Sequence, residues 1–191
     1  MKLKRLFWAS LPLFFLFSCA SNKGAFFQKE SAVEKNIYSQ YMTIADEYFS
    51  QKKYDKAESY YKECIKFSEY KNAATYKLAK TYVFEKKYES AIGLYETLLL
   101  EDSKNQTLIE NLAYCYAMSG QKDRAEELYL SLINDYSNQS SYFENLIIIY
   151  IQDKKIEQSK IYLELLKQKF SDCSNIKKFE NEIKKLEEEN H

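Results

Sequence analysis

The sequence predicts an all-α protein, a solenoid of four helix pairs closed by a C-terminal helix, and three observations carry that expectation. Ala57, Ala91, Ala125 and Ser159 recur at intervals of 34 residues, and so do Tyr48, Tyr82, Tyr116 and Tyr150. Within a unit the apolar residues fall at helical spacings, as Leu78, Ala79 and Tyr82 do. The 191 residues include only 3 Gly and 1 Pro, too few for the many turns of an all-β sandwich. The charge balance excludes other classes: 28 basic against 28 acidic residues leave no broad basic footprint for nucleic acid. The one histidine is the terminal His191, so a Ser-His-Asp triad or a His-rich metal site lacks its imidazole in the folded body. No enzyme activity, metal or diffusible cofactor is expected.

Residues 1–18 read as an export signal. Lys2, Lys4 and Arg5 precede an uncharged run from Leu6 to Phe17, followed at once by Ser18 and Cys19. That run is 12 residues long, short of the roughly 20 that a helix needs to cross a bilayer core. The order Leu16-Phe17-Ser18-Cys19 resembles the lipobox of bacterial lipoproteins. The resemblance implies that the Cys19 thiol takes a diacylglyceryl group, that the chain is cut before it, and that the new amine is acylated. An ordinary secretory peptide with an incidental cysteine is the alternative. Cleavage leaves 25 basic against 28 acidic residues. A mildly acidic body adds no electrostatic membrane attraction, so retention would rest on the acyl chains, at about 0.8 kcal/mol per buried methylene.

Residues 19–37 are expected as a lipidated tether, with Ala20 to Asn36 polar apart from Ala25, Phe26 and Phe27 and joining the first helix near Ser31. Residues 38–173 hold the four units 38–71, 72–105, 106–139 and 140–173. Further columns agree with the period: Ile44, Leu78, Leu112 and Leu146; Ala45, Ala79, Ala113 and Ile147; Tyr61, Tyr95, Tyr129 and Leu163; Cys64, Leu98, Leu132 and Leu166. Two helices approach closely only where side chains are small, so Ala45 and Ala57 mark the crossing while Tyr48 and Tyr61 fill the flanking grooves. Cys64, Cys115 and Cys173 form neither a C-x-x-C pair nor an even set, and Cys64 and Cys115 are expected as buried packing residues.

These columns resemble the tetratricopeptide repeat family, and Gly120, Lys122 and Ala125 match its turn between helices. The resemblance implies a right-handed α-solenoid of four such helix pairs. Where the family carries a proline near the end of the second helix, this chain has Glu69, Ser103, Ser137 and Ser171. Residues 174–191 follow as a capping helix, with Ile176, Phe179, Ile183 and Leu186 on one face. Their spacing also fits a short coiled-coil seam.

The family presents the inner faces of its first helices as a groove for peptides or partner helices. Carried onto this chain, the groove is Met42, Tyr76, Lys80, Val83, Phe84, Tyr114, Met118, Ile148 and Ile151, mostly apolar and aromatic, suited to an amphipathic helix or an apolar peptide. Asp46 argues against a clamp for a C-terminal carboxylate. Glu89, Glu96 and Lys122 read as solvated residues of the opposite, convex side. The function that follows is a membrane-anchored scaffold of the bacterial cell envelope, a monomer binding a protein or peptide partner, with a role in envelope or outer-membrane protein assembly within its scope. The alternative is a solute- or lipid-binding accessory lipoprotein of a transporter.

Overall fold

The computed structural model describes residues 18–189, with side chains from Ser31 onward. The export signal, the thiol of Cys19 and His191 lie outside the described residues. Nine helices are present among those described: α1 Ser18–Ser50, α2 Tyr54–Ile65, α3 Lys71–Phe84, α4 Tyr88–Glu101, α5 Gln106–Met118, α6 Lys122–Asp135, α7 Ser140–Gln152, α8 Ile156–Lys169 and α9 Ile176–Glu189. Consecutive helices pack on one another, so α1–α8 make four pairs stacked into an all-α solenoid.

The repeat columns explain the stack. Ala57, Ala91, Ala125 and Ser159 are all fully buried, and so are Ala45, Ala79, Ala113 and Ile147. Ser159 satisfies its hydroxyl locally, donating 2.7 Å to the Ile156 carbonyl. The second-helix column Tyr61, Tyr95, Tyr129 and Leu163 is buried throughout, and so is Cys64, Leu98, Leu132 and Leu166. The column of Ile44 behaves differently: Leu78, Leu112 and Leu146 are buried while Ile44 is half-exposed. The reason is positional. These residues point from the first helix of a unit onto the preceding unit, and among the described residues no helix pair stands before unit one.

The core falls into three adjoining clusters, an N-terminal one around Ala45, Tyr61 and Leu78, a central one, and a C-terminal one where Phe143, Ile147, Leu163 and Leu166 pack with Phe179 and Ile183 of α9. α9 is further held by the ion pairs Lys167–Glu180 at 2.7 Å and Lys160–Glu187.

Each pair turns through the same device. Lys52, Lys86, Gly120 and Lys154, again 34 residues apart, sit at φ between 56° and 85°. The amide after each donates to a carbonyl five residues back, as Lys87 N does to Tyr82 O at 2.8 Å, closing the first helix in a Schellman arrangement. Only Gly120 carries the residue that this left-handed conformation favours, and three lysines hold it at a cost of about 1 kcal/mol each. Lys86→Gly is therefore expected to raise stability by about 0.5 kcal/mol, net of the extra freedom glycine has when unfolded. Gly120→Ala is expected to lower it by about 1 kcal/mol from the backbone alone, since a Cβ there meets nothing within 4 Å. Thermal unfolding of both variants measures the two signs.

The second helices end without proline. In units two to four Asp102, Tyr136 and Phe170 leave the helix at φ near −137°, one residue before Ser103, Ser137 and Ser171, and no side chain of those serines caps a helix. Asn105 is a true cap, its side-chain oxygen accepting 3.2 Å from Leu108 N.

The expected tether is not separate from unit one. α1 starts at Ser18 and continues unbroken to Ser50, 33 residues or about 50 Å of helix. From Ala20 to Ser50 there is one glycine and no proline, and Ala25, Gln28, Lys29, Ala32, Glu34 and Lys35 favour helix, so the packed part propagates outward. Among the described residues no helix is long and apolar enough to cross a membrane.

Candidate functional site

The expected groove lies on the first helices α1, α3, α5 and α7, where the positions of Met42 and Asp46 repeat every 34 residues. At the first unit, Asp46 is not a free negative charge: it accepts from the Tyr61 hydroxyl at 2.5 Å and from Lys77 at 2.8 and 2.9 Å. Burial, then the Asp46 hydrogen bond and charge, push the Tyr61 phenol well up. Asp46, Phe49, Tyr61, Tyr76, Lys77 and Lys80 line a cleft of about 280 Å³. Within it Lys80 lies 5.8 Å from the Phe49 ring centroid, and no carboxylate pairs with it among the described residues. The argument that Asp46 repels an anionic ligand does not survive this geometry, because its charge is spent on Lys77.

The expected groove residues separate into two groups. Lys80, Phe84, Tyr114 and Met118 are exposed, Phe84 by 53% and Met118 by 48%. Phe84 also joins an aromatic group at the turn edge, with Phe49 edge-on at 5.2 Å and Tyr54 stacked at 5.9 Å. Tyr114 has Tyr88 edge-on at 6.4 Å. The others are half-buried packing residues. Met42 lies on the N-terminal cluster and Tyr76 and Val83 on the central one, while Ile148 and Ile151 pack against the cluster that α9 completes. An exposed stripe thus runs through units two and three, and α9 takes up apolar surface that unit four would have presented.

Two acidic groove positions were not anticipated. Glu110 and Glu144 stand in the column of Met42 and Tyr76, and counting 34 from Tyr76 finds them. Burial raises the Glu110 carboxyl above its ordinary value, with the Tyr142 hydroxyl, donating at 3.4 Å, acting the other way. Glu144 accepts from the Asn175 amide at 2.5 Å.

Beneath the stripe the tyrosine column has uneven partners. Tyr61 has Asp46, but the equivalent positions in the next units are Lys80 and Tyr114, and the buried hydroxyls of Tyr95 and Tyr129 have no partner. Tyr61→Phe is expected to cost about 1–2 kcal/mol, whereas Tyr129→Phe is expected to gain about 1 kcal/mol by removing an unpaired hydroxyl. Chemical denaturation of the two variants distinguishes them by sign.

Glu96 and Lys122, expected as solvated residues away from the groove, stand on the second helices α4 and α6 and also make polar contacts. Both join neighbouring units: Glu96 accepts from the Tyr116 hydroxyl at 2.5 Å and from Arg124 at 3.0 Å, and Lys122 pairs with Asp153 at 2.6 Å. Glu58 and Glu126 do the same at the other junctions, bridging Tyr82 with Lys87 and Tyr150 with Lys155. Sequence patterning missed this because the middle junction breaks the period. Position 92 is isoleucine and 121 glutamine, so the carboxylate moves one helical turn on, to Glu96, and the cation to Arg124. Cys64 and Cys115 are free and buried, and burial pushes their thiols up to about 11 and about 12.

Comparison with known proteins places this geometry. Two tetratricopeptide repeat models match the chain, over residues 40–70 and 84–147. No curated protein matches it. Among solved structures, a tetratricopeptide repeat protein from Parabacteroides merdae superposes with a TM-score of 0.71 at 16% identity, over 80% of this chain and 60% of its own length. YrrB, described as a tetratricopeptide repeat protein with an unusual peptide-binding site, gives 0.62 at 14% identity over 82% of this chain and 87% of its own. PilF of Pseudomonas aeruginosa gives 0.64 at 20% identity, over 81% and 71%. The chain carries tetratricopeptide repeats and folds as an all-α solenoid of their helix pairs.

Proposed function

We propose that this protein is a lipid-anchored scaffold of the bacterial cell envelope that holds a protein or peptide partner on the inner face of its second and third units. The observation that carries the reading is the exposed stripe of Lys80, Phe84, Tyr114 and Met118, large side chains left uncovered along the inner face. A similarly folded protein, YrrB, is described as having a peptide-binding site, which supports a peptide-like ligand here. Aromatic side chains contribute contact area at small entropic cost, and Lys80 over Phe49 offers one cation for an acidic group of the partner. Anchoring is supported by the basic, apolar and Leu-Phe-Ser-Cys order before Cys19.

The test is cross-linking and recovery of partners from the envelope with the full chain. Lys80→Glu, Phe84→Ser and Tyr114→Ser together are expected to reduce recovery at least tenfold while the helical circular dichroism persists. Glu89→Ser with Lys104→Ala should leave recovery intact. Cys19→Ala should move the protein out of the detergent phase. Retained recovery by the triple variant would reject the groove, and retained partitioning by Cys19→Ala would reject the anchor.

A further inference from the structure

The groove columns carry charge that the chain itself does not neutralise. On α5 and α7 the column of Met42 and Tyr76 turns acidic, and Glu110 and Glu144 are both half-buried there. Asp46, Glu58 and Glu126 each hold a lysine, but neither Glu110 nor Glu144 has a lysine or arginine in ion-pair contact among the described residues. Their partners are neutral. Glu110 accepts from the Tyr142 hydroxyl at 3.4 Å, and that hydroxyl takes a hydrogen bond from Gln106 at 2.6 Å. Glu144 accepts from the Asn175 amide at 2.5 Å, beside the Cys173 thiol. Burying a carboxylate costs free energy that one long hydrogen bond from a neutral donor offsets only in part, in keeping with the raised Glu110 carboxyl.

A second observation falls on the same spot. The Tyr129 side chain is fully buried and its hydroxyl has no partner. Its column mate Tyr61 sends its hydroxyl to Asp46, on the first helix of the same unit. The same geometry in unit three directs Tyr129 at the α5 face that carries Glu110 and Tyr114, and the Glu110 charge acts on its phenol. Tyr95, one unit earlier, is equally unpartnered, but the α3 face beside it carries Tyr76 and Lys80 and no acid. Tyr114 stands one turn beyond Glu110 on the same face of α5 and is 39% exposed. A carboxylate, a hydroxyl oxygen with free lone pairs and an accessible ring are what a guanidinium uses: it is planar, donates several N–H groups in a fixed fork and stacks on aromatic rings. An apolar group or an anion at the same place would leave both oxygens unpaired.

We infer that Glu110, with Tyr129, Tyr142 and Tyr114 around it, is a subsite for an arginine side chain of the bound segment, with Glu144 extending the acidic path along the groove. This rests on the groove proposed above and deepens it. The partner presents an acidic group to Lys80 in unit two and an arginine to Glu110 in unit three. Because the two groove charges are opposite and one unit apart, they also set the direction in which the segment runs: reversed, it places acid against acid and cation against cation. The unpaired Tyr129 hydroxyl, a cost to the empty protein, is then an acceptor kept for the ligand.

Selection from a displayed library of short random peptides against the full chain in mild detergent tests it. The recovered peptides are expected to carry an arginine. In fluorescence polarisation their affinity is expected to fall at least tenfold when that arginine is replaced by alanine, and again when the wild-type peptide meets Glu110→Gln, with helical content unchanged. Tyr129→Phe is expected to bind the same peptide about threefold more weakly although it is the more stable protein, a combination that a packing role for the hydroxyl would not give. Equal binding by wild type and Glu110→Gln, with binding still lost in Lys80→Glu with Phe84→Ser, would overturn the subsite and leave the groove standing. Equal binding after arginine is exchanged for lysine would overturn the guanidinium as its occupant. Recovery of no peptide, or undiminished binding by the Lys80→Glu, Phe84→Ser variant, would reject the groove and the subsite with it.

Discussion

Phe143→Ala should lower the stability of the C-terminal units by about 3–5 kcal/mol and loosen α9 before the rest of the stack unfolds. Phe143 is fully buried, meets Phe170 edge-on at 5.8 Å, and sits in the cluster that holds Phe179 and Ile183. Truncating such a ring loses its transfer energy and leaves a cavity in a tightly packed cluster. In a solenoid each unit touches only its neighbours, so the loss stays local. Hydrogen exchange should show α9 and α8 losing protection while α3 and α4 keep theirs. Uniform loss across all units would mean that the stack unfolds as one cooperative body, against the local core seen here.

Glu58→Ala should cost about 1–2 kcal/mol at neutral pH, because it leaves the Tyr82 hydroxyl, Lys62 and Lys87 without their shared acceptor. Its pH dependence has a defined sign. Burial alone would raise this carboxyl, but the hydrogen bonds from Lys62 and Tyr82 and the charges of Lys62 and Lys87 outweigh it and hold the group below its ordinary value. A carboxyl lowered in the folded state stabilises above its unfolded pKa of about 4.3 and loses that contribution as pH falls through the lower folded value. The gap between wild type and Glu58→Ala should therefore be full at pH 7 and close as the solution is acidified below about pH 4. Glu126→Ala, two units away, should add to it without coupling. Urea unfolding at several pH values measures both, and a gap that widens with acid would contradict the assignment.

The same two regions show where sequence reasoning reaches and where it stops. Packing columns are legible because an α-helix repeats its facing residues at fixed intervals, and a 34-residue period carries that pattern from unit to unit. Ala57 to Ser159 and Tyr61 to Leu163 were found that way and are buried. Polar brackets are less legible. Glu58 and Glu126 keep the period, but Glu96 and Arg124 do not, since a long side chain can reach the same tyrosine from one turn away. The Lys52, Lys86 and Lys154 turns were equally hidden, because nothing in a lysine signals a left-handed backbone, and the neighbouring hydrogen bonds impose it.

What the sequence determined by itself is the all-α class, the number and length of the units, and the residues that fill the core, because each of these follows from periodic apolar side chains seeking burial. The candidate groove was legible only as a set of columns. Which of its residues stay exposed was decided by the tertiary structure: α9 packs onto unit four and draws in Ile148 and Ile151, Lys77 neutralises Asp46, and Lys80, Phe84, Tyr114 and Met118 are left facing solvent. A column states what a side chain can pack against, and only the neighbours that the fold supplies decide whether it does.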